Sequence, residues 1–241
     1  MYYQTRTAMP FGGTLTPAVK GLLIANVAGF VLQTLQQFRF NESFPLTMER
    51  VLGLVPVLVW KDLFLWQVFT YQFLHAGLIH LLFNMLALWM FGCELEQRWG
   101  APYFLKFYFV SVVGGALCNL IFLPTSAAYT IGASAGIYGL LMAYGLLYPE
   151  RTIYFYFVFP MKMKHFVWII GAITLFSSIA AAQSTISHLA HLGGMVFGYV
   201  YFRWGNPWTS IMSVYYRYKL KRLRRRLHVV RNEDDDKPTL H

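Results

Sequence analysis

Long apolar stretches without a formal charge constrain this sequence more than any other feature. No Asp, Glu, Lys or Arg occurs between Lys20 and Arg39, or anywhere from residue 63 to residue 93. A helix needs about 20 mainly apolar residues to cross the hydrocarbon core of a bilayer, so such stretches predict membrane spans. The charged fraction is 12%, whereas soluble domains have about 25%, and the mean hydropathy is +0.46. The chain therefore belongs to the membrane class.

The apolar stretches predict an all-α polytopic membrane protein, a bundle of six transmembrane helices. The predicted spans cover residues 21–38, 78–93, 102–123, 134–148, 165–182 and 188–204. The apolar run 51–60 is too short to cross and contains Pro56. We therefore predict a long, partly membrane-embedded loop with interfacial helices over residues 40–77, between helices 1 and 2. Its aromatic residues suit the headgroup level: Phe64, Trp66, Phe69 and Tyr71.

The basic residues set the orientation. They lie in the loops after spans 2 and 4 and in the tail, so the positive-inside rule predicts that both termini are cytoplasmic; the loop cations are Arg98, Arg151, Lys162 and Lys164. This divides the chain into a cytoplasmic N-terminus (1–17), a six-helix core (18–205) and a basic cytoplasmic tail (206–241). The short termini carry no signal peptide or organelle-targeting segment, which suggests a bacterial inner membrane.

The tail and the cysteines have simple interpretations. Leucines at spacings of three and four alternate with basic residues over 220–230, which predicts an amphipathic helix on an anionic inner leaflet. Nucleic-acid binding is disfavoured, because the rest of the chain is apolar. Cys93 and Cys118 are predicted near opposite faces of the bilayer, so no disulfide is expected.

Polar side chains inside the predicted spans are costly and by default mark function. His80 and Asn84 share one face of span 2, Ser134 opens span 4, and His191 lies near the start of span 6. All of these residues fall in the outer half of the membrane. The sequence Gly-Ala-Ser-Ala-Gly around Ser134 also fits the nucleophile elbow of α/β-hydrolases, but no predicted strand precedes it.

These residues match the requirements of acyl transfer. A serine hydroxyl needs an adjacent base, here His191, and an oxyanion needs donors, here His80, the Asn84 amide and the Ser134 backbone N–H. No carboxylate lies in spans 4 or 6, so a Ser–His dyad is predicted, with Tyr138 placed to pack on His191. Small residues predict close packing of these spans: Gly132, Gly136, Gly139, Gly194 and Gly198.

The same residues have ordinary interpretations, as an N-cap, as packing glycines or as polar contacts between helices. On residue types and spacing alone, a serine hydrolase and a transporter or channel are about equally supported. Four histidines also fall near one layer, His75, His80, His188 and His191. Because no H-E-x-x-H motif and no nearby carboxylate accompany them, no metal or other cofactor is predicted.

The motifs together resemble the rhomboid family of intramembrane serine proteases, over residues 15–205. The matching stretches are HAGLIHLLFNM, ELEQRWG, GASAGIYG and AHLGGMVFG. The resemblance implies cleavage of transmembrane protein substrates near the outer face. It implies Ser134 as nucleophile, His191 as base, His80 and Asn84 at the oxyanion, and Tyr138 packed on His191. It also implies a structural pair at the end of span 2, Glu96 and Arg98.

Two positions depart from the pattern of the family. Ala135 stands where many members have glycine after the serine, and Gln67 follows Trp66 where many members have arginine. We expect a slight effect of Ala135 on the backbone near the oxyanion and a weaker loop at Gln67. A pseudoprotease remains an alternative, although such proteins usually lack the serine or histidine present here. A transporter is the other alternative, against which stand the lack of a visible inverted repeat and of a deep carboxylate.

Overall fold

The computed structural model describes residues 14–40, 47–155, 159–180 and 188–204. The described chain is mostly helical. The long helices are α1 (Pro17–Phe40), α7 (Ala101–Phe122), α8 (Ser134–Leu147), α9 (Met163–Ala180), α10 (His188–Arg203), and the continuous pair α5 (Leu78–Ala87) and α6 (Cys93–Trp99), joined by a π-helical turn (Leu88–Gly92). The short helices are α2 (Met48–Leu52), α3 (Pro56–Lys61) and α4 (Gln67–Thr70), followed by a 3₁₀ turn (Tyr71–Phe73).

The helices fall on the stretches that hydropathy predicts. Within the described residues, three of them are long and apolar enough to cross a membrane: Pro17–Arg39, Leu78–Trp99 and Ala101–Phe122. Helices α8 and α9 are apolar but shorter. The helical membrane class is therefore confirmed, and the count of six crossings stays a prediction.

The centre of the bundle is the packing of α10 on α7 and α8. A Cβ on Gly194 would collide with the carbonyl oxygen of Ala135, and a Cβ on Gly198 would lie 3.0 Å from the Cα of Gly139. A Cβ on Gly139 would meet the Ser111 side chain. Glycines at these positions let the helix backbones touch, which is how helices pack closely in membranes.

The all-α prediction is incomplete, because the segment between α8 and α9 contains a β-hairpin. Strand β1 (Thr152–Phe155) pairs with β2 (Phe159–Lys162) in antiparallel register, with Thr152 opposite Lys162. This stretch is dense in aromatic residues, which favour strands. The sequence therefore contains a signal for strands, but the high hydrophobicity of this segment does not distinguish a strand from a helix.

The segment that precedes α5 is folded onto the bundle. Gln67 is fully buried, accepts a hydrogen bond from Val55 N (2.9 Å) and donates to the carbonyl oxygens of Arg50 (2.8 Å) and Val51 (3.3 Å). These bonds tie together three points of the segment, contrary to the weak loop that we expect from this departure. The neutral amide of Gln67 forms these hydrogen bonds, so a charged side chain is not needed at this position.

Two further expectations are corrected by side-chain positions. Tyr71 is not an interfacial residue, since it is only 1% exposed and its hydroxyl donates to Val112 O at 2.7 Å.

Glu96 and Arg98 are not a pair, because residues two apart on a helix point to different faces. Glu96 accepts hydrogen bonds from Thr16 Oγ1 and from the first backbone N–H groups of α1, Ala18 and Val19. Arg98 instead donates to the Tyr148 hydroxyl at 3.4 Å.

Candidate active site

Ser134 and His191 are brought together by the packing of α8 on α10. Ser134 is the first residue of α8, and His191 lies in the first turn of α10. The serine Oγ lies 2.7 Å from His191 Nε2. This is within the 2.6–3.2 Å, approximately, that a general base needs to reach a hydroxyl proton. The structure thus has the geometry of a nucleophile and its base.

The ring of His191 is held by packing. The Tyr138 ring stacks on it, with 4.2 Å between ring centroids and 9° between ring planes. His191 is 9% exposed, and its Nδ1 has no hydrogen-bond partner among the described residues. No described carboxylate therefore orients this histidine, and the arrangement is a Ser–His pair.

Gly132 has a different role from the helix packing predicted for it. It lies before α8, in the loop that leads to Ser134, with φ +123°, a conformation that favours glycine. A Cβ here would lie 2.8 Å from His80 Cε1 and 3.1 Å from His80 Nε2. Its N–H donates to Tyr71 O at 3.0 Å. Gly132 therefore allows His80 to come close to the loop that carries the serine.

Gly136 also packs differently from the expectation that it joins α8 to α10. A Cβ on Gly136 would collide with the ring of Tyr108 on α7. Gly136 thus brings α8 close to α7, while Gly139, Gly194 and Gly198 serve the contact with α10.

A backbone hydrogen bond fixes the proton position on His80. The N–H of Ala76 donates to His80 Nδ1 at 3.3 Å. Because Nδ1 accepts a proton donor, the neutral ring carries its own proton on Nε2. That nitrogen is the one beside Gly132, on the side of the cavity that holds Ser134. His80 can therefore donate a hydrogen bond into this cavity.

The Asn84 amide is directed elsewhere. Asn84 is 6% exposed, and its Nδ2 donates to the backbone carbonyl of His80 at 3.0 Å. Asn84 is not one of the residues that line the cavity. The predicted contact of the Asn84 amide with an oxyanion is not supported by this arrangement, in which Asn84 acts through the turn that carries His80.

The cavity above Ser134 has a volume of about 100 Å³. Its lining includes Ser134, the two histidines His80 and His191 from other helices, and several aromatic and small residues. The remaining lining residues are Tyr71, Ala76, Tyr129, Thr130, Ile131, Gly132 and Ala190. The cavity has room for a small side chain or a reacting peptide group beside Ser134.

The Ala135 departure is accommodated outside the cavity. A Cβ on Gly115 of α7 would lie 2.7 Å from the Ala135 Cβ, so the alanine methyl group packs on a position that only glycine leaves free. Ala135 is 1% exposed and does not line the cavity. The extra methyl group is therefore a matter of packing between α8 and α7.

A chain of buried polar side chains behind His80 is not predicted from the sequence. Gln33 of α1 is 3% exposed, accepts from His75 N at 3.0 Å and donates to Glu49 Oε1 at 2.7 Å. His75 stacks edge-on against His80, with 5.2 Å between centroids, and burial lowers the pKa of His75 to about 3. The glutamines near the end of span 1 were the available signal, because amides are unusual inside a span.

The other histidines do not form a metal site within the described part of the chain. No group of three or more His, Cys, Asp or Glu residues there could hold a metal ion. His188 lies edge-on to His191, with 6.2 Å between centroids, and does not line the cavity. Both described strands follow α8, so no strand leads into Ser134 as an α/β-hydrolase elbow would require.

Fold and site together define a class: a helical membrane protein in which a serine and a histidine from two tightly packed helices meet beside a cavity. Residues 63–205 match the family model described as the Rhomboid domain. This match covers more than half of the chain. The chain belongs to the rhomboid family and is an integral membrane protein.

Curated relatives agree with this membership. The chain is 33% identical over 139 residues to "Rhomboid protease GluP" of Bacillus subtilis, covering 56% of this chain and 25% of the relative. It is 33% identical over 135 residues to "Rhomboid protein 1, mitochondrial" of Saccharomyces cerevisiae, covering 54% and 38%. It is 30% identical over 172 residues to "RHOMBOID-like protein 1" of Arabidopsis thaliana, covering 71% and 42%.

The chain thus spans less than half of the length of each of these three relatives. One of these three relatives is named as a protease, and the other two are named as a rhomboid protein and as rhomboid-like. The bacterial origin expected from the termini is not supported, because most of these relatives are from plants and yeast.

Proposed function

We propose that the chain is an intramembrane serine endopeptidase that cleaves transmembrane segments near the outer face of the membrane. The observation that carries the proposal is the 2.7 Å distance between Ser134 Oγ and His191 Nε2. The same contact in a soluble domain would also indicate a serine hydrolase. Here the two residues lie on packed helices of a membrane protein of the rhomboid family, so the proposed substrate is a membrane-embedded polypeptide.

The first chemical step is attack on a substrate carbonyl. As Ser134 Oγ bonds to the carbonyl carbon, its proton moves to His191 Nε2. The carbonyl π electrons move to oxygen, which becomes an oxyanion. His80 Nε2–H and the Ser134 backbone N–H, one of the helix N–H groups without an intrahelical acceptor, donate to that oxygen.

The second step expels the amine. The oxyanion electrons re-form the carbonyl, the C–N bond breaks, and His191 gives its proton to the leaving nitrogen, which leaves an acyl-serine. Water then attacks this ester, with His191 as base again, and releases a carboxylate and free Ser134. This cycle needs no metal or organic cofactor.

His191 must be neutral, with its proton on Nδ1, to accept the serine proton at Nε2. Stacking on Tyr138 orients the ring, in the role that a carboxylate has in a catalytic triad. Because Nδ1 has no acceptor among the described residues, the imidazolium that forms is less stabilised than in a triad.

The proposed topology has six crossings, with both termini in the cytoplasm and the serine side of the cavity towards the outer face. The three parts are an N-terminus (1–17), the core (18–205) and a basic tail (206–241) on the anionic inner leaflet. The predicted amphipathic helix of the tail lies outside the described residues. The positive-inside distribution of basic residues supports this orientation.

The test is cleavage of a transmembrane reporter in liposomes, together with labelling by a fluorophosphonate probe. Wild type is compared with Ser134→Ala, with His191→Ala, and with Ser178→Ala as the matched control. Ser178 lies on α9 and donates to Thr174 O at 2.7 Å, away from the cavity. We expect cleavage and labelling to be lost in the first two variants only.

The same experiment separates the alternatives. A pseudoprotease binds the reporter but neither cleaves it nor takes up the probe, across a panel of helix-destabilised substrates. A transporter would behave likewise in both assays and would move solute across the liposome membrane. Equal labelling of wild type and Ser134→Ala would remove Ser134 from the proposal.

A further inference from the structure

The β1–β2 hairpin presents an apolar surface that the proposed reaction does not use. Residues 152–161 carry no charge and include aromatic residues at half of their positions. Two of these aromatic side chains are described as exposed, Tyr154 at 55% and Phe159 at 63%. A two-stranded hairpin of this kind is marginally stable in water by itself. Its surroundings must therefore contribute to its stability.

The register shows that the hairpin exposes aromatic side chains on both faces. Ile153 lies opposite Met161, and Tyr154 lies opposite Pro160 on the other face. Ile153 is 6% exposed, so its face packs on protein near the root of the hairpin, which is the end where the strands join α8 and α9. Phe159 shares that face two residues from Met161, yet it is exposed. A protein docked on one face would leave the aromatic residue of the other face in water.

The root of the hairpin is fixed to the ends of two apolar helices. Met163 N donates to Arg151 O at 2.8 Å, and Lys164 N donates to Pro149 O at 3.1 Å. Helix α8 ends at Leu147, and α9 begins at Met163. The hairpin therefore leaves the bundle at the level where two membrane helices end, which is the membrane surface in the proposed topology.

Cations gather at this root. Lys162 Nζ donates to Glu150 at 2.6 Å, and Lys164 also donates to Glu150; these bonds lower the pKa of the Glu150 carboxyl to about 2. Arg151 pairs with Glu94. Three cations thus face two carboxylates. Each ammonium has three N–H donors, so a paired lysine can also donate to a lipid phosphate.

The open edges of the hairpin limit how deep it can lie. Each strand pairs on one side only, and unpaired strand edges are not tolerated in the hydrocarbon core. At the headgroup level, water and lipid polar groups can satisfy these edges. Aromatic side chains are enriched at that same level. The membrane interface suits all three features of the hairpin. It accepts the exposed aromatic rings on both faces, places the cations at the root near lipid phosphates, and supplies hydrogen-bond partners to the open strand edges.

We infer that the β1–β2 hairpin is a lipid-binding element that inserts Tyr154 and Phe159, on its two faces, into the interface of the cytoplasmic leaflet. The inference rests on the membrane topology of the proposed function and is independent of the catalytic step. The inserted hairpin holds the connection between α8 and α9 at the membrane surface.

The test measures the depth of a label on the full chain in phospholipid vesicles. An environment-sensitive fluorophore is attached to Phe159→Cys, to Tyr154→Cys on the opposite face, and to Gln97→Cys, an exposed residue at the end of α6, as the matched control. The unsubstituted protein, labelled in parallel, gives the background from Cys93 and Cys118. Quenching by aqueous iodide is compared with quenching by lipids that are spin-labelled near the headgroup or deep in the acyl chain.

We expect the labels at 154 and 159 to be quenched by the shallow lipid label and at least threefold less by iodide than the label at 97. Iodide quenching equal to that of the control at both hairpin positions would overturn the inference, and would leave a protein partner as the occupant. Lipid contact at only one of the two positions would also overturn it, because insertion requires both faces.

The vesicles also report on the proposed function. If the labelled proteins cleave the reporter but their hairpin labels lie in water, the hairpin inference is rejected and the proposed protease is not. Lipid contact at both hairpin positions without cleavage or probe labelling at Ser134 would reject the protease alone. Thermal unfolding of each variant, monitored by tryptophan fluorescence, shows that the exposed substitutions leave the fold intact.

Discussion

The Tyr138 and His191 rings lie parallel, 4.2 Å apart at their centroids and 9° apart in plane. Tyr138 is one turn after Ser134 on α8, so a single helix carries both the nucleophile and the surface that orients its base. Since no described carboxylate reaches His191, this stacking and the contact with Ser134 Oγ restrain the ring. The proposed dyad therefore depends on an aromatic ring at position 138.

Replacing the Tyr138 ring should lower the rate of cleavage, because the His191 ring is then less well oriented. Stacked aromatic pairs contribute about 0.5–1.5 kcal/mol, so Tyr138→Leu should reduce kcat by about 2–10-fold. Tyr138→Phe keeps the ring and should remain close to wild type. Reporter cleavage under single-turnover conditions measures both variants. A loss as large in Tyr138→Phe as in Tyr138→Leu would assign the effect to the hydroxyl group instead.

His80 should contribute more to the reaction than Asn84. His80 Nε2–H faces the cavity, whereas the Asn84 amide donates to the His80 carbonyl. Loss of one oxyanion donor costs about 10²–10³ in kcat, which we expect for His80→Ala. Asn84→Ala should lose less, because it acts only through the position of His80.

The control for this comparison is His188→Ala, a histidine near His191 that does not line the cavity. Its cleavage rate should stay near that of wild type. If Asn84→Ala loses as much as His80→Ala, the asparagine must reach the oxyanion after movement of α5, and the assignment from this structure is wrong.

Packing at Ala135 gives a prediction about stability. A Cβ on Gly115 would lie 2.6 Å from Ala190 O and 2.7 Å from Ala135 Cβ. Gly115→Ala should therefore destabilise the protein by about 1–3 kcal/mol, as overpacking does. Gly21→Ala, which meets nothing within 4 Å, is the matched control and should be neutral or slightly stabilising. Thermal unfolding in detergent compares the two.

A double variant then tests the contact itself. Ala135→Gly alone should retain cleavage, because the methyl group points away from the cavity. Combined with Gly115→Ala, it should recover part of the lost thermal stability, since one of the two close contacts is removed. Strictly additive effects would show that the two residues do not touch.

The sequence predicts the site better than the elements around it. Spacing alone places Ser134, His191 and Tyr138 on helices that the glycines allow to touch, because helical periodicity and small residues are local signals. The role of Gly132 could not be read in this way, since its φ of +123° depends on where His80 lies. The same holds for Glu96, whose partners at the start of α1 are about 80 residues away in the chain.

The hairpin shows a different limit of sequence reasoning. Residues 152–161 are as apolar as a membrane span, and hydropathy does not separate a short strand from the end of a helix. Pairing in register, which only the structure gives, decides between them. Gln33 was missed for a related reason, because its partners Glu49 and His75 come from a segment whose path no periodicity predicts.

The buried His75 should make stability depend on pH. Burial lowers its pKa to about 3 in the folded chain, while an unfolded histidine has a pKa near 6.5. Between these values the unfolded state binds a proton that the folded state does not. The contribution of neutral His75 is therefore fully present above about pH 6.5 and decreases as the pH falls towards 3.

The variant His75→Asn removes this titration and retains a polar side chain of similar length. The melting temperature of wild type should fall more steeply from pH 7 to pH 4 than that of the variant, and the two slopes should agree above pH 7. The difference between the slopes is the quantity to measure, because other groups titrate equally in both proteins. Parallel curves across this range would show that the pKa of His75 in the folded chain is close to that of an unfolded histidine, which would contradict the lowering by burial.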